Sequence, residues 1–157
     1  MLQDLNCLFS GAVGSDGTRT AQAVTATALS TNIVDTRIAA LPALQDAGIG
    51  GSMLYLVVCV KDAFNTLTSL TITLETDSTS NLATSPTTHL TFSVLLAALT
   101  AGAVVACAPL PSGQFERYMA VRFTVVGSNP TLGSVIAYLT DTPPAWQAYP
   151  KNFTVDV

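Results

Sequence analysis

The sequence predicts an all-β protein: a sandwich or barrel of about eight antiparallel strands with little helix. Three observations carry this reading. Hydroxyl groups take the place of charge, with 22 Thr and 12 Ser in 157 residues while charged residues make up only 10%. Thr is β-branched and suits a pleated surface. Short stretches of alternating apolar and polar residues recur between turns rich in Gly, Pro, Ser and Asn, and no long helix interrupts them. A chain of 16.3 kDa that is 49% hydrophobic has the length and the apolar content for a single domain over residues 1–157.

Residues 1–21 read as an N-terminal arm and a mobile loop, because residues 10–20 (SGAVGSDGTRT) are small, polar and Gly-rich. Residues 22–29 alternate Ala and Val with Thr, as one half-buried strand does, and residues 32–38 look like a second. Residues 36–48 could begin a helix, but Pro42 would break it, so an irregular connection is expected. Residues 53–60 (MLYLVVCV) are apolar on both faces, which predicts a central strand. Residues 70–76 show the cleanest alternation, with Leu70, Ile72 and Leu74 facing in and Thr71 and Thr73 facing out.

A Ser/Thr/Asn loop over residues 77–88 leads to a strand at 89–94. The uncharged run 94–111 is Ala-rich, holds Gly102 and ends in prolines, so it reads as a buried turn and then a strand from Ala103, not a membrane span. In residues 117–126, Met119, Val121, Phe123 and Val125 share one face, opposite Tyr118, Arg122 and Thr124. A turn at 127–130 precedes a last strand at 133–140, and residues 141–157 form a tail rich in Pro and aromatics.

Six Lys and Arg against ten Asp and Glu give a net charge of −4, too few cations for the basic stripe that nucleic acid requires. Cys7, Cys59 and Cys107 lie far apart with no C-x-x-C, so buried free thiols are expected instead of a zinc site or a disulfide framework. The start, Met1-Leu2-Gln3-Asp4, lacks the basic region of a signal peptide. His89, the only histidine, sits at a loop-to-strand boundary and reads as a surface or satisfied structural residue. The glycines of residues 11–18 lack the G-K-[ST] ending of a phosphate loop. Glu75 and Asp77, two apart, read as a solvated strand end. No cofactor, metal ligand set or catalytic constellation is expected.

Several ordered stretches resemble a known family: AQAVTATALSTNIVD, MLYLVVCVKDAF, SLTITLETD, LPSGQFERYMAVRFTVVGSNPTLGSVIAYLTD and a terminal W-x-x-Y-P. Together they resemble the capsid cement (decoration) proteins of tailed phages. The resemblance implies a jelly-roll fold, no catalysis, a place on the outer surface of the virion, and binding to the major capsid protein of an icosahedral head. It also implies a homo-oligomer on a symmetry axis of the shell, a dimer ahead of a trimer. The Gly-rich stretch near residues 11–20 and residues 151–157 depart from the family pattern. The alternatives are another viral structural jelly roll, such as a head fibre or tail component, and a carbohydrate-binding β-sandwich. A lectin usually displays an aromatic platform, and Trp146 is the single tryptophan.

With so few cations, attachment to a partner is expected through apolar anchors and backbone pairing. The candidate contacts are Leu2, Leu5 and Phe9 near the start, and Trp146, Tyr149, Phe153, Val155 and Val157 in the tail. Phe153, Val155 and Val157 alternate as an added edge strand would, while Trp146 and Tyr149 are types enriched in interface cores. The competing expectation is that these segments cover the protein's own sheet edge.

Overall fold

A computed structural model describes residues 7–14, 18–36 and 53–142 of the chain. Twelve strand segments occur among them: β1 (Leu8–Ser10), β2 (Ala12–Val13), β3 (Arg19–Thr20), β4 (Gln22–Ala23), β5 (Ala28–Leu29), β6 (Val34–Asp35), β7 (Tyr55–Asp62), β8 (Leu67–Asp77), β9 (Thr87–Leu95), β10 (Val104–Pro109), β11 (Tyr118–Gly127) and β12 (Ser134–Thr140). The first large sheet has the order β1-β12-β7-β10, with β4 also on β12. The second has the order β5-β11-β8-β9, with β6 also on β11.

These segments fill eight strand positions. β1 lies beside Tyr138 and Ala137 of β12 while β4 lies beside Val135 and Ser134, so the two share the first position end to end. β5 and β6 share the second position along β11 in the same way. Numbered by position, the sheets read 1-8-3-6 and 2-7-4-5, the two four-stranded sheets of a jelly roll, and every pairing is antiparallel.

Alternation builds the core. Leu56, Val58 and Val60 of β7, Leu70, Ile72 and Leu74 of β8, Met119, Val121 and Phe123 of β11, and Val135, Ala137 and Leu139 of β12 all join one buried cluster between the sheets. Phe9, Phe64, Leu99, Leu110 and Phe115 belong to the same cluster. The inward set expected for β8 is therefore found, and Val125 of β11 packs half-buried on the same cluster. Residues 94–111 form the end of β9, a single 3-10 turn at Leu96–Ala98, a Gly102 at φ 82° and then β10. Gly102 donates its N–H to Val60 at 2.8 Å, which ties this connection to the third strand position.

Two expectations need correction. Residues 22–29 are not one strand: the chain leaves the first sheet after Ala23 and enters the second at Ala28. Gln22 holds this corner, its amide nitrogen donating to the Leu29 carbonyl at 2.7 Å and its amide oxygen accepting from the Thr31 N–H at 2.9 Å. Alternation cannot distinguish one strand from two short pieces on either side of a bend. The Gly-rich stretch is likewise not an open loop: Ala12–Val13 and Arg19–Thr20 pair as a small hairpin inserted between β1 and β4. Residues 36–52 and the tail fall, apart from Thr36, Asp141 and Thr142, outside the described residues.

Phe123→Ala is expected to destabilise the fold by about 3–5 kcal/mol, the cost of a cavity in a closed core, measured by urea denaturation. Gly133→Ala should also destabilise, because φ is 136° there and a Cβ would stand against the Phe64 ring.

Candidate functional site

The two sheets present outer faces of opposite character. On the first sheet, Val57 of β7 points away from the core, since Leu56 and Val58 point into it. Val57 stands opposite Cys107 of β10 on one side and Tyr138 of β12 on the other, and Tyr138 stands opposite Leu8 of β1. Cys107, Val57, Tyr138 and Leu8 thus form a row across four strands. Cys59 and Ile136 form part of the next row. Leu8, Val57 and Tyr138 are buried, and Val13, Tyr55, Cys59, Cys107 and Ile136 pack half-buried around them. Val13 belongs to the inserted hairpin, so that hairpin covers part of this face. Lys61 secures it with a 3.4 Å bond from its ammonium to the Arg19 carbonyl.

Burial controls the chemistry of this patch. It is the largest influence on Tyr138, whose phenol is pushed up to about 12, with the neighbouring Cys59 adding to the effect through charge and a hydrogen bond. Burial also raises the Cys59 and Cys107 thiols, so both remain protonated near neutrality and behave as small apolar groups. None of the three cysteines is in a disulfide, and all are half-buried, where full burial was expected.

The second sheet has a hydroxyl-rich outer face, with Thr71 and Thr73 on β8, Thr91 and Ser93 on β9 and Thr124 on β11 in registered pairs. One end of it is closed. Glu75 and Asp77 are both buried there, which overturns the solvated strand end. Arg122 binds Glu75 at 2.8 Å and donates to the Leu82 carbonyl at 3.2 Å, while Thr73 donates to Glu75 at 2.7 Å. Asp77 accepts from the backbone N–H groups of Thr79 at 3.0 Å, Thr84 at 3.1 Å and Ser85 at 3.4 Å. Those bonds hold its carboxyl down at about 2, with the Thr79 N–H the largest influence. The pair of carboxylates therefore clamps the loop that follows β8, and each carboxylate is engaged by its own partners.

His89 occupies a β-bulge, since Leu74 pairs with Leu90 but Glu75 pairs with Thr88. Its ring stacks on Phe115 with centroids 4.0 Å apart, and Nε2 lies 2.7 Å from the Thr76 hydroxyl. Burial lowers its pKa, against an opposing pull from Glu116. Thr87, His89, Gln114 and Glu116 line an open depression of about 580 Å³ beside it. Arg117 faces Asp35 through two bonds of 2.9 Å and stacks over Tyr118 at 4.9 Å, anchoring β6 to β11.

Among the candidate contacts, Phe9 has to be corrected. It is fully buried in the central cluster, so it anchors β1 and offers no outward surface. Leu2, Leu5, Trp146, Tyr149, Phe153, Val155 and Val157 lie outside the described residues. Residue-by-residue reading of the strands missed the outward row of Leu8, Val57, Cys107 and Tyr138. The signal was present in residues 53–60, apolar on both faces: two faces of one strand require two apolar layers.

The fold defines a jelly-roll β-sandwich with a partly covered apolar layer outside its first sheet and a hydroxyl-rich outer face on its second. The Bbp16 family model matches residues 18–139, from just before β3 to Leu139 in β12, and the chain belongs to that family. No curated protein matches it.

Arg122→Met should destabilise the protein by about 3 kcal/mol, because it leaves Glu75 buried without its cation. Adding Glu75→Gln should recover part of the loss. The backbone N–H bonds hold the Asp77 carboxyl down at about 2, below its ordinary 3.8, so its carboxylate stabilises the fold above that range. That contribution is lost as pH falls from 3.8 to about 2, and Asp77→Asn should flatten the dependence of the melting temperature over this interval.

Proposed function

We propose that this protein is a capsid cement protein, which binds the outside of an icosahedral phage head and strengthens contacts between major capsid proteins. The observation that carries the proposal is the second apolar layer outside the first sheet, where Tyr55, Cys59, Cys107 and Ile136 remain half-buried around the buried Leu8, Val57 and Tyr138. β1 and β12, the first and last strands described, both belong to that sheet. The segments expected to hold a partner therefore attach beside an apolar face. The resemblance of the ordered stretches supports the same reading, as does a jelly roll, an architecture recurrent in capsids. Fold alone would not be sufficient, because jelly rolls serve many functions.

The mechanism is thermodynamic. A protein that binds the assembled shell better than free subunits stabilises the assembled state, by about 2.7 kcal/mol per site at a hundredfold excess over Kd. Repeated over a shell, such contributions oppose internal pressure at the subunit junctions. The protein acts as a homo-oligomer on the virion surface and needs no catalysis, cofactor, nucleic acid or membrane. With six cations in the chain, apolar contact dominates attachment.

Mass spectrometry of purified particles tests the reading directly, with the protein expected in heads and absent from isolated tails. Release from shells should barely change between about 0.1 and 1 M salt, where the screening length falls from about 10 to about 3 Å. Ile136→Lys, on the apolar outer face, and Trp146→Ala, in the tail, should each weaken shell binding while leaving the circular dichroism spectrum unchanged. Complete release by salt would refute apolar attachment.

A further inference from the structure

Two thiols and a phenol meet on the outside of the first sheet. Val57 and Cys59 lie two apart on β7 and share that face, and Cys107 of β10 stands opposite Val57. Cys59 and Cys107 are therefore diagonal neighbours on adjacent strands. Tyr138 of β12 stands opposite Val57 from the other side, and its hydroxyl is hydrogen-bonded to Cys59. A charge on Cys107 bears on both Cys59 and Tyr138, as it does only between close groups. Both thiols are half-buried, so solvent still reaches them.

Their separation decides what the pair can hold. Diagonal residues on paired strands have Cα atoms about 7–8 Å apart. A disulfide wants its Cα atoms within about 6.8 Å, so the backbone would have to move before these sulfurs could bond to each other. An ion between them needs no such movement: two metal–sulfur bonds of about 2.3 Å in a line set the sulfurs about 4.5 Å apart. No group of three or more His, Cys, Asp or Glu suited to a metal gathers among the described residues, so a tetrahedral zinc site lacks its ligands here. A soft ion that is satisfied by two thiolates needs no third ligand, and Cu(I) is the type that thiolates select.

The geometry points to Cys59 and Cys107 as a site for a two-coordinate thiophilic ion, Cu(I), bridging β7 and β10. Binding breaks both S–H bonds, forms two S–Cu bonds and sends both protons to solvent; copper enters and stays as Cu(I), so no electron moves. Burial keeps both thiols protonated near neutrality, so each ion bound displaces two whole protons. Two thiolates on one Cu(I) leave a net negative charge. The Tyr138 hydroxyl donates to the Cys59 sulfur, and the charge of Arg19, on the inserted hairpin, acts on Tyr138. Lys61 reaches the same hairpin at the Arg19 carbonyl, so two cations stand near the site. The ion would tie β10, an edge strand, to the central β7 beside the bulge between Val104 and Ala106, where the ladder is interrupted.

This site is independent of the cement reading and requires no shell. The full chain, reduced and kept under nitrogen, is titrated with Cu(I) against a coloured Cu(I) chelator. It should take up one ion, release two protons at neutral pH and melt at a higher temperature. Cys59→Ser and Cys107→Ser should each lose the ion, while Cys7→Ser, whose side chain packs on the central cluster, should keep it. Zn(II) should bind at least about a hundredfold more weakly than Cu(I). X-ray absorption of the copper-loaded wild-type protein should show two sulfur neighbours, a reading that does not depend on whether the serine variants fold. No uptake would overturn the inference, as would uptake that survives either serine substitution in a folded variant, a single sulfur neighbour, or Zn(II) held as tightly as Cu(I).

Discussion

The register between β8 and β11 is the constraint on which the rest of the structure depends. Val121 stands opposite Leu74, Phe123 opposite Ile72 and Val125 opposite Leu70, so two strands deliver their apolar residues to one side together. A slip of one residue would turn either set toward solvent. Arg122 secures the register from the other side, because its bond to Glu75 forms only when Arg122 lies beside Thr73. The same pair, a half-buried Arg122 on a buried Glu75, and Asp77 hold the loop after β8, and β9 then pairs along β8. The long edge strand thus follows from that central pairing.

The first sheet is organised differently. Its central strand, β7, is apolar on both faces and is paired on both sides. One face serves the core and the other the outward row of Cys107, Val57, Tyr138 and Leu8. Burying apolar surface on both faces is favourable at about 25 cal/mol per Å². The inserted hairpin covers part of the outer layer through Val13.

The outer faces of the two sheets therefore differ in character: the first carries an apolar layer that is partly covered, and the second carries rows of hydroxyl groups. The hydroxyl-rich face adds little charge that could repel a neighbour.

The sequence by itself determined the strand class and the inward faces of the long strands, because alternation at a period of two is a local property. Leu70, Ile72 and Leu74 could be placed in the core from spacing alone, and Gly102 marked its turn through backbone freedom. The ordered stretches also pointed to a family whose implied jelly roll is the fold observed. Tertiary structure alone decided which strands became edges, because pairing joins residues far apart in the chain: Arg117 with Asp35, Ser134 with Ala23. It split residues 22–29 between two sheets, since a bend leaves the apolar pattern intact. It buried Glu75 and Asp77, because their partners Arg122, Thr84 and Ser85 come from a distant strand and a folded-back loop. It drew Phe9 inward for the same reason: the surface available to a residue depends on what packs over it, and no local pattern carries that information.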